Sequence, residues 1–139
     1  MKDEKSIRKS VEEIFDRASF IQHLGIRLTK VDHGGCSVEL DTDPNHLQQH
    51  GLVHAGVLAT LADHGAGGAA RSAVAEGNDV ITIEFKINFL KPAPAGKLVC
   101  ESRVLRAGKS IVTAESEVFA GDVLVAKLMS TLAVIPAKS

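Results

Sequence analysis

The sequence predicts an α+β domain in which one long helix lies against a curved antiparallel β-sheet. Three observations carry that reading. From Ile81 to Phe89 apolar and polar residues alternate without a break, the period of a strand with one buried face. Later apolar runs are joined by Ala107–Gly108–Lys109 and Ala120–Gly121–Asp122, which read as hairpin turns, and tight connections imply antiparallel pairing. Between residues 53 and 75 lies a stretch of small apolar residues, long enough to cover a sheet face. A chain of 139 residues makes one domain (1–139), with a core that needs no disulfide or structural metal.

The elements follow in order. Ile7, Val11, Ile14, Phe15 and Ala18 recur at helical spacing, which predicts a surface helix over Glu4–Phe20, within residues 1–20. Ile26–Val31 and Cys36–Leu40 read as strands around the turn His33–Gly34–Gly35, and Asp41–Thr42–Asp43–Pro44–Asn45 breaks the pattern. The central helix is expected over 53–75 and ends before Glu76–Gly77–Asn78. Its Gly56, Gly65, Gly67 and Gly68 each cost about 1 kcal/mol against alanine, so a sheet or another chain must come close. In the next strand Ile81, Ile83, Phe85, Ile87 and Phe89 share one face, with Thr82, Glu84, Lys86 and Asn88 on the polar one; Pro92 and Pro94 end it. Leu98–Leu105, Ser110–Phe119 and Val123–Ile135 complete the sheet. The last is apolar on both faces over much of its length, and a homo-oligomer would cover it.

Composition excludes several classes of function. A formal net charge of −1, mixed in sign along the chain, gives no basic field for nucleic acid. Cys36 and Cys100 lack metal or redox spacing and read as free thiols in a reducing compartment. Residues 1–10 are charged and lack the apolar centre of a secretory signal, and no apolar run has the length of a membrane span. The expectation is a soluble cytoplasmic protein with neither membrane nor nucleic-acid partner. The absence of Trp and Tyr argues against a carbohydrate platform or a base-stacking surface.

The most informative stretch runs from Gln48 to Asp63: a turn, His54, a helix start, then one carboxylate among small residues. The helical neighbours of Asp63 are Ala59, Thr60, Ala66 and Gly67, and no cation lies within a turn of it. Such a group costs free energy if buried unless it is hydrogen-bonded or protonated, and proteins tend to keep it for chemistry.

Gly51–x–x–His54–x–Gly56–(x)4–Leu61–Ala62–Asp63, with Thr82–Ile83–Glu84–Phe85–Lys86–Ile87–Asn88–Phe89–Leu90–Lys91–Pro92–Ala93 and the turn Val104–Leu105–Arg106–Ala107–Gly108–Lys109–Ser110, resembles the hotdog-fold acyl-CoA thioesterases of the PaaI-like and 4-hydroxybenzoyl-CoA thioesterase group. The resemblance covers residues 20 to 135. It implies a sheet wrapped around the central helix and a homodimer, paired into a tetramer, with active sites at the subunit interface. One subunit would supply the loop and helix start, the other the carboxylate. Two positions depart from the family pattern: Ala55 stands where glycine is usual, and Gln48 where asparagine is frequent.

The resemblance also implies roles. Asp63 would act as general base or as nucleophile. The Ala55 N–H, at a helix start that favours negative charge, would polarise the thioester carbonyl. Gln48 would orient water or carbonyl, His54 would hold the loop, and Thr82 would help place the water. Gly56, Lys91, Arg106, Gly108, Lys109 and Ser110 would hold coenzyme A, whose phosphates need donors or cations. Coenzyme A enters as part of the substrate, so no cofactor and no metal is expected. The substrate would be a small aromatic or medium-chain acyl-CoA. Two other readings stay open: an acyl-CoA-binding protein without turnover, and a metal hydrolase using His46, His50 and His54, with Asp63 and His64 beyond, whose four-residue steps would align only on a continuous helix.

Overall fold

A computed structural model describes residues 2–138. Its elements are α1 (Glu4–Asp16), α2 (Ser19–Leu24), β1 (Arg27–Asp32), β2 (Gly35–Asp41), a 3-10 turn (Pro44–His46), α3 (Ala55–Ala73), β3 (Asn78–Phe89), β4 (Lys97–Ala107), β5 (Ile111–Ala120) and β6 (Val123–Pro136). All pairings are antiparallel, in the order β1-β2-β4-β5-β6-β3. The sheet wraps α3, whose Leu58, Leu61, Ala62, Ala66 and Ala69 are buried against Val38, Leu40, Leu98, Val112, Leu128 and Leu132.

The expected glycine contacts divide in two. A Cβ at Gly65 would meet Ser102 Oγ at 2.5 Å, and one at Gly68 would meet Cys36 Sγ at 3.0 Å. Those glycines let the sheet approach α3 closely. Gly67 points elsewhere and has open space over it.

Four expectations need correction. The single helix over Glu4–Phe20 is two helices: Ala18 is extended, and Gln22 Nε2 donates to Phe15 O at 2.8 Å, closing the end of α1. The break turns the chain so that Ile21 and Ile26 reach the core. The central helix spans Ala55–Ala73 rather than 53–75, because His54 is its cap and Val74 is extended.

The alternation of β3 does not produce one apolar face. A bulge between Thr82 and Glu84 shifts the register. Before it Thr82 pairs with the buried Leu132; after it Phe85 and Ile87 pair with the buried Ser130 and Leu128. Thr82 therefore turns toward α3, while Ile81 and Ile83 remain exposed. Finally, β6 is an interior strand that does expose Val123, Met129 and Ile135, and the apolar surface extends beyond it. The uncovered apolar surface lies chiefly on the edge strand β3, at Ile81, Ile83, Phe85 and Phe89.

Candidate active site

The start of α3 is built by local hydrogen bonds. His54 is its cap: Nδ1 accepts the Gly56 N–H at 2.8 Å, and the His54 carbonyl accepts Val57 N–H at 2.9 Å. His54 is held in turn by its own N–H, which donates to His46 O at 2.9 Å. A Cβ at residue 56 would lie 3.0 Å from that same Nδ1, so glycine there fits the cap. Among the described residues Ala55 N–H has no partner, and Ala55 is exposed. Among the described residues no non-glycine residue has positive φ, so alanine sits at this position without backbone strain. Gln48 Oε1 accepts from His50 N–H and, at 3.4 Å, from Leu52 N–H, which fixes the turn before the helix. Its Nε2 donors face no protein acceptor among the described residues.

Asp63 lies two turns further along α3, half-buried. Thr82 Oγ1 donates to its Oδ1 at 2.9 Å, which leaves Oδ2 for other chemistry. The carboxylate lies in a groove of about 410 Å³ lined by Ala18, Phe20, Ile21, Ala59, Thr60, His64 and Phe85. His64 Nε2 lies 3.1 Å from Ile14 O and its ring packs edge-on against Phe15, so α1 is fastened beside Asp63. Burial there holds the His64 imidazole below its ordinary pKa, against the Ile14 carbonyl and the Asp63 charge, which pull the other way. Beneath the helix, Ser116 Oγ donates to Ala62 O at 2.7 Å and lies 2.7 Å from Ser102 Oγ.

The expected site residues fall into two groups within one chain. Ala55 and Asp63 are eight residues apart on one helix, about 12 Å along its axis. One carbonyl cannot touch both. Lys91 follows β3 next to the helix start, since Ala93 O accepts Val53 N–H at 2.9 Å. Arg106 and the turn Gly108–Lys109–Ser110 lie at the other end of β3: Ile111 pairs with Ala133, and Ala133 with Ile81. From Ile81 to Phe89 the strand runs about 25 Å. Gln48, His54, Ala55, Gly56 and Lys91 thus form one half, and Asp63, Thr82, Arg106, Gly108, Lys109 and Ser110 the other.

The histidine cluster does not assemble. His46 Nδ1 accepts Asp43 N–H in a capping box, His54 Nδ1 caps α3 and His50 is exposed. Among the described residues no three His, Cys, Asp or Glu side chains are placed to hold a metal ion, and no helix is long and apolar enough to cross a membrane. Sequence reasoning passed over Phe20, Phe85, Ser102 and Ser116 as site residues, and placed His64 only beside the histidine cluster. The serines carried a signal, standing at positions of β4 and β5 where their neighbours Cys100, Ala114 and Val118 are apolar and buried.

The profile of the thioesterase superfamily matches residues 50–127. A Saccharolobus solfataricus protein is 33% identical over 110 residues, which span 78% of each chain. The 1,4-dihydroxy-2-naphthoyl-CoA hydrolase of Listeria monocytogenes is 29% identical over 87 residues, 63% of this chain and 71% of that one. A solved thioesterase family protein from Silicibacter pomeroyi superposes with a TM-score of 0.91 at 29% identity, over 94% of this chain and 99% of the other.

Proposed function

The chain belongs to the thioesterase superfamily and has the hotdog fold of a thioester hydrolase, and we propose that its substrate is an acyl-CoA, cleaved to free acid and coenzyme A between two copies of the chain. The observation that carries this reading is the split of the site. An unpartnered Ala55 N–H and a Thr82-supported Asp63 lie about 12 Å apart on one helix. A second copy, related by a two-fold axis, can bring the helix start of one subunit to the carboxylate of the other. The exposed apolar edge strand β3 supports that assembly, since an uncovered edge of this kind is a template for pairing. Two such dimers pair in the assembly we propose, and the cytoplasm is its compartment.

In that site the thioester oxygen accepts the Ala55 N–H of one subunit, where negative charge is stabilised as it develops. Asp63 of the other subunit takes a proton from water, the water oxygen bonds to the carbonyl carbon, and the C–S bond breaks. The thiolate of coenzyme A leaves and is protonated. Asp63 could instead attack the carbonyl itself, with water then cleaving the anhydride. Gln48 Nε2 and Thr82 Oγ1 orient carbonyl and water. Lys91 and Gly56 from one subunit, with Arg106, Gly108, Lys109 and Ser110, are the groups available to coenzyme A. The sequence relative that hydrolyses an aryl-CoA supports that substrate class.

The test is thiol release from a panel of aryl- and fatty-acyl-CoAs by the native chain and by Asp63→Asn. We expect turnover to fall by about 10²–10⁴ in the variant with its melting temperature preserved. Turnover that survives the substitution removes Asp63 from the mechanism. Binding without turnover on any member would make the chain an acyl-CoA binder instead.

A further inference from the structure

Beneath the turn of α3 that carries Asp63, Cys100, Ser102 and Ser116 of the sheet lie in series. Ser116 Oγ, on β5, donates its one proton to Ala62 O at 2.7 Å. With that proton committed, Ser102 Oγ, on β4, is the donor in the 2.7 Å contact between the two serines. Ser102 in turn faces Cys100 Sγ at 3.5 Å, and there the thiol must donate. Burial pushes the Cys100 thiol up to about 11, so it keeps the proton that this order requires. The chain thus has one direction, ending on the Ala62 carbonyl, and hydrogen bonds in such a chain polarise one another. All its members are buried. A glycine makes room for them: a Cβ at Gly65 would meet Ser102 Oγ at 2.5 Å and Cys100 Sγ at 3.0 Å. Alanine at 65, 102 and 116 would spare the helix a glycine and the core two hydroxyls that cost free energy to desolvate. Packing alone does not account for the arrangement.

We propose that Ser102 and Ser116 are positioning residues for the Asp63 carboxylate. The inference rests on the thioesterase reading of Asp63. Ala62 O belongs to the peptide whose nitrogen is that of Asp63, so the hydroxyl that holds this carbonyl also holds the Asp63 backbone. Thr82 of β3 holds the other end of the same residue, at Oδ1, 2.9 Å away. β5 and β3 flank β6 on opposite sides. Two successive residues of α3 are therefore tied to two separate strands, and the helix can neither slide nor rotate without breaking a tie. The carboxylate stays where a carbonyl held by a second subunit must meet it. An error of about 1 Å in such a placement can cost about 10²-fold in rate. Ser72 offers the contrast. It is as buried as Ser116 and lies on the same helix, donates to Ala69 O at 2.6 Å and accepts Gly34 N–H at 2.8 Å. It stands near the C-terminal end of α3, away from the carboxylate.

The experiment measures kcat and KM, on the acyl-CoA cleaved fastest in the panel, for the native chain, Ser116→Ala, Ser102→Ala and Ser72→Ala, each with and without Asp63→Asn. We expect Ser116→Ala to lower kcat about tenfold with KM within about twofold of native, because alignment of the carboxylate matters to the transition state rather than to substrate binding. Ser102→Ala removes only the donor behind Ser116. It should show a smaller fall of the same kind, and it carries the test if Ser116→Ala does not fold. In the Asp63→Asn background both losses should disappear, since they act through the carboxylate. Ser72→Ala should lower the melting temperature comparably while kcat stays native. An unchanged kcat in the folded Ser116→Ala and Ser102→Ala variants, with Asp63→Asn still lowering turnover, overturns the proposal and leaves the thioesterase reading intact. An equal kcat loss in Ser72→Ala, or an undiminished loss in the Asp63→Asn background, overturns it too, as general loosening of the helix would produce either. If no acyl-CoA is turned over at all, the activity reading fails, and the NMR resonance of the Asp63 carboxyl carbon tests the positioning by itself. A shift in Ser116→Ala that is absent in Ser72→Ala upholds the proposal; a resonance that does not move ends it.

Discussion

The two halves of the site are built by different means. The donor half, from Asp43 to Gly56, is held mostly by contacts between near neighbours: Asp43 with His46, Gln48 with His50 and Leu52, His54 with Gly56, with Val53 and Leu52 also tied to Ala93 and Pro94. The acid half is held by contacts between distant parts of the chain. Thr82 reaches Asp63 across 19 residues, His64 reaches Ile14 across 50, and Ser116 reaches Ala62 across 54. The first half needs the local backbone to be right and one tie to the segment after β3. The second exists only when the sheet has closed around α3 and α1 has docked on it. A group that supplies a fixed dipole can be made locally, whereas a half-buried carboxylate must be positioned by the whole fold.

The sharpest way to break this comparison is to disable one half at a time. Ala55→Pro removes only the N–H, because proline is favoured at the first helical position and His54 before it is already extended (φ −62°, ψ 138°). We expect kcat to fall by about 10²–10³, the loss typical of one oxyanion donor, with stability retained. Mixing this variant with Asp63→Asn should restore activity as subunits exchange. A hybrid dimer has one site with the intact loop of one chain and the intact Asp63 of the other. Random exchange makes roughly half the dimers hybrid with one good site each, hence roughly a quarter of native activity. No recovery, with exchange shown by mass or tag, would mean that each chain carries its own complete site.

A smaller effect is expected inside the acid half. Thr82→Val keeps the shape but removes the donor to Asp63 Oδ1, and we expect kcat to fall about tenfold while Thr82→Ser stays near native. Equal kcat for the valine and serine variants would make Thr82 an ordinary strand residue.

How much of each half could be read from sequence follows from the same difference. The turn before α3 and a helix start beside it are legible because turns and helix starts are written in a few consecutive residues, whereas His54 as the cap, with the helix starting two residues later than expected, was not. The existence of β3 was legible, but not its bulge, since five alternating apolar residues give no sign of where the register slips. That slip is what turns Thr82 toward Asp63, so a polar-face residue by pattern is a helix-facing one in the fold. The break at Ala18 was also invisible, because Ala18 continues the helical spacing of Ile7, Val11, Ile14 and Phe15 and only Ile21 and Ile26 entering the core reveals the turn. With the break unseen, Phe20 could not be placed beside Asp63.

The least effect, on stability alone, concerns His64. Its imidazole is half-buried between α1 and α3, and desolvation there lowers its pKa more than the Ile14 carbonyl and the Asp63 charge raise it. In the unfolded chain it titrates near 6.5. Above that pH both states hold it neutral and the group adds no pH dependence. As pH falls below about 6.5 the unfolded chain takes up the proton first, so folding stability drops until the lowered folded pKa is reached, and is constant below it. Melting temperature should therefore decline on going from neutral to mildly acid pH. His64→Gln can still donate to Ile14 O but does not titrate, so it should flatten that decline and keep α1 docked. An unchanged slope in the glutamine variant would assign the acid sensitivity to another group. A flattened slope with a large drop in neutral-pH stability would instead show that the ring packing on Phe15, rather than the hydrogen bond, fastens α1 beside the carboxylate.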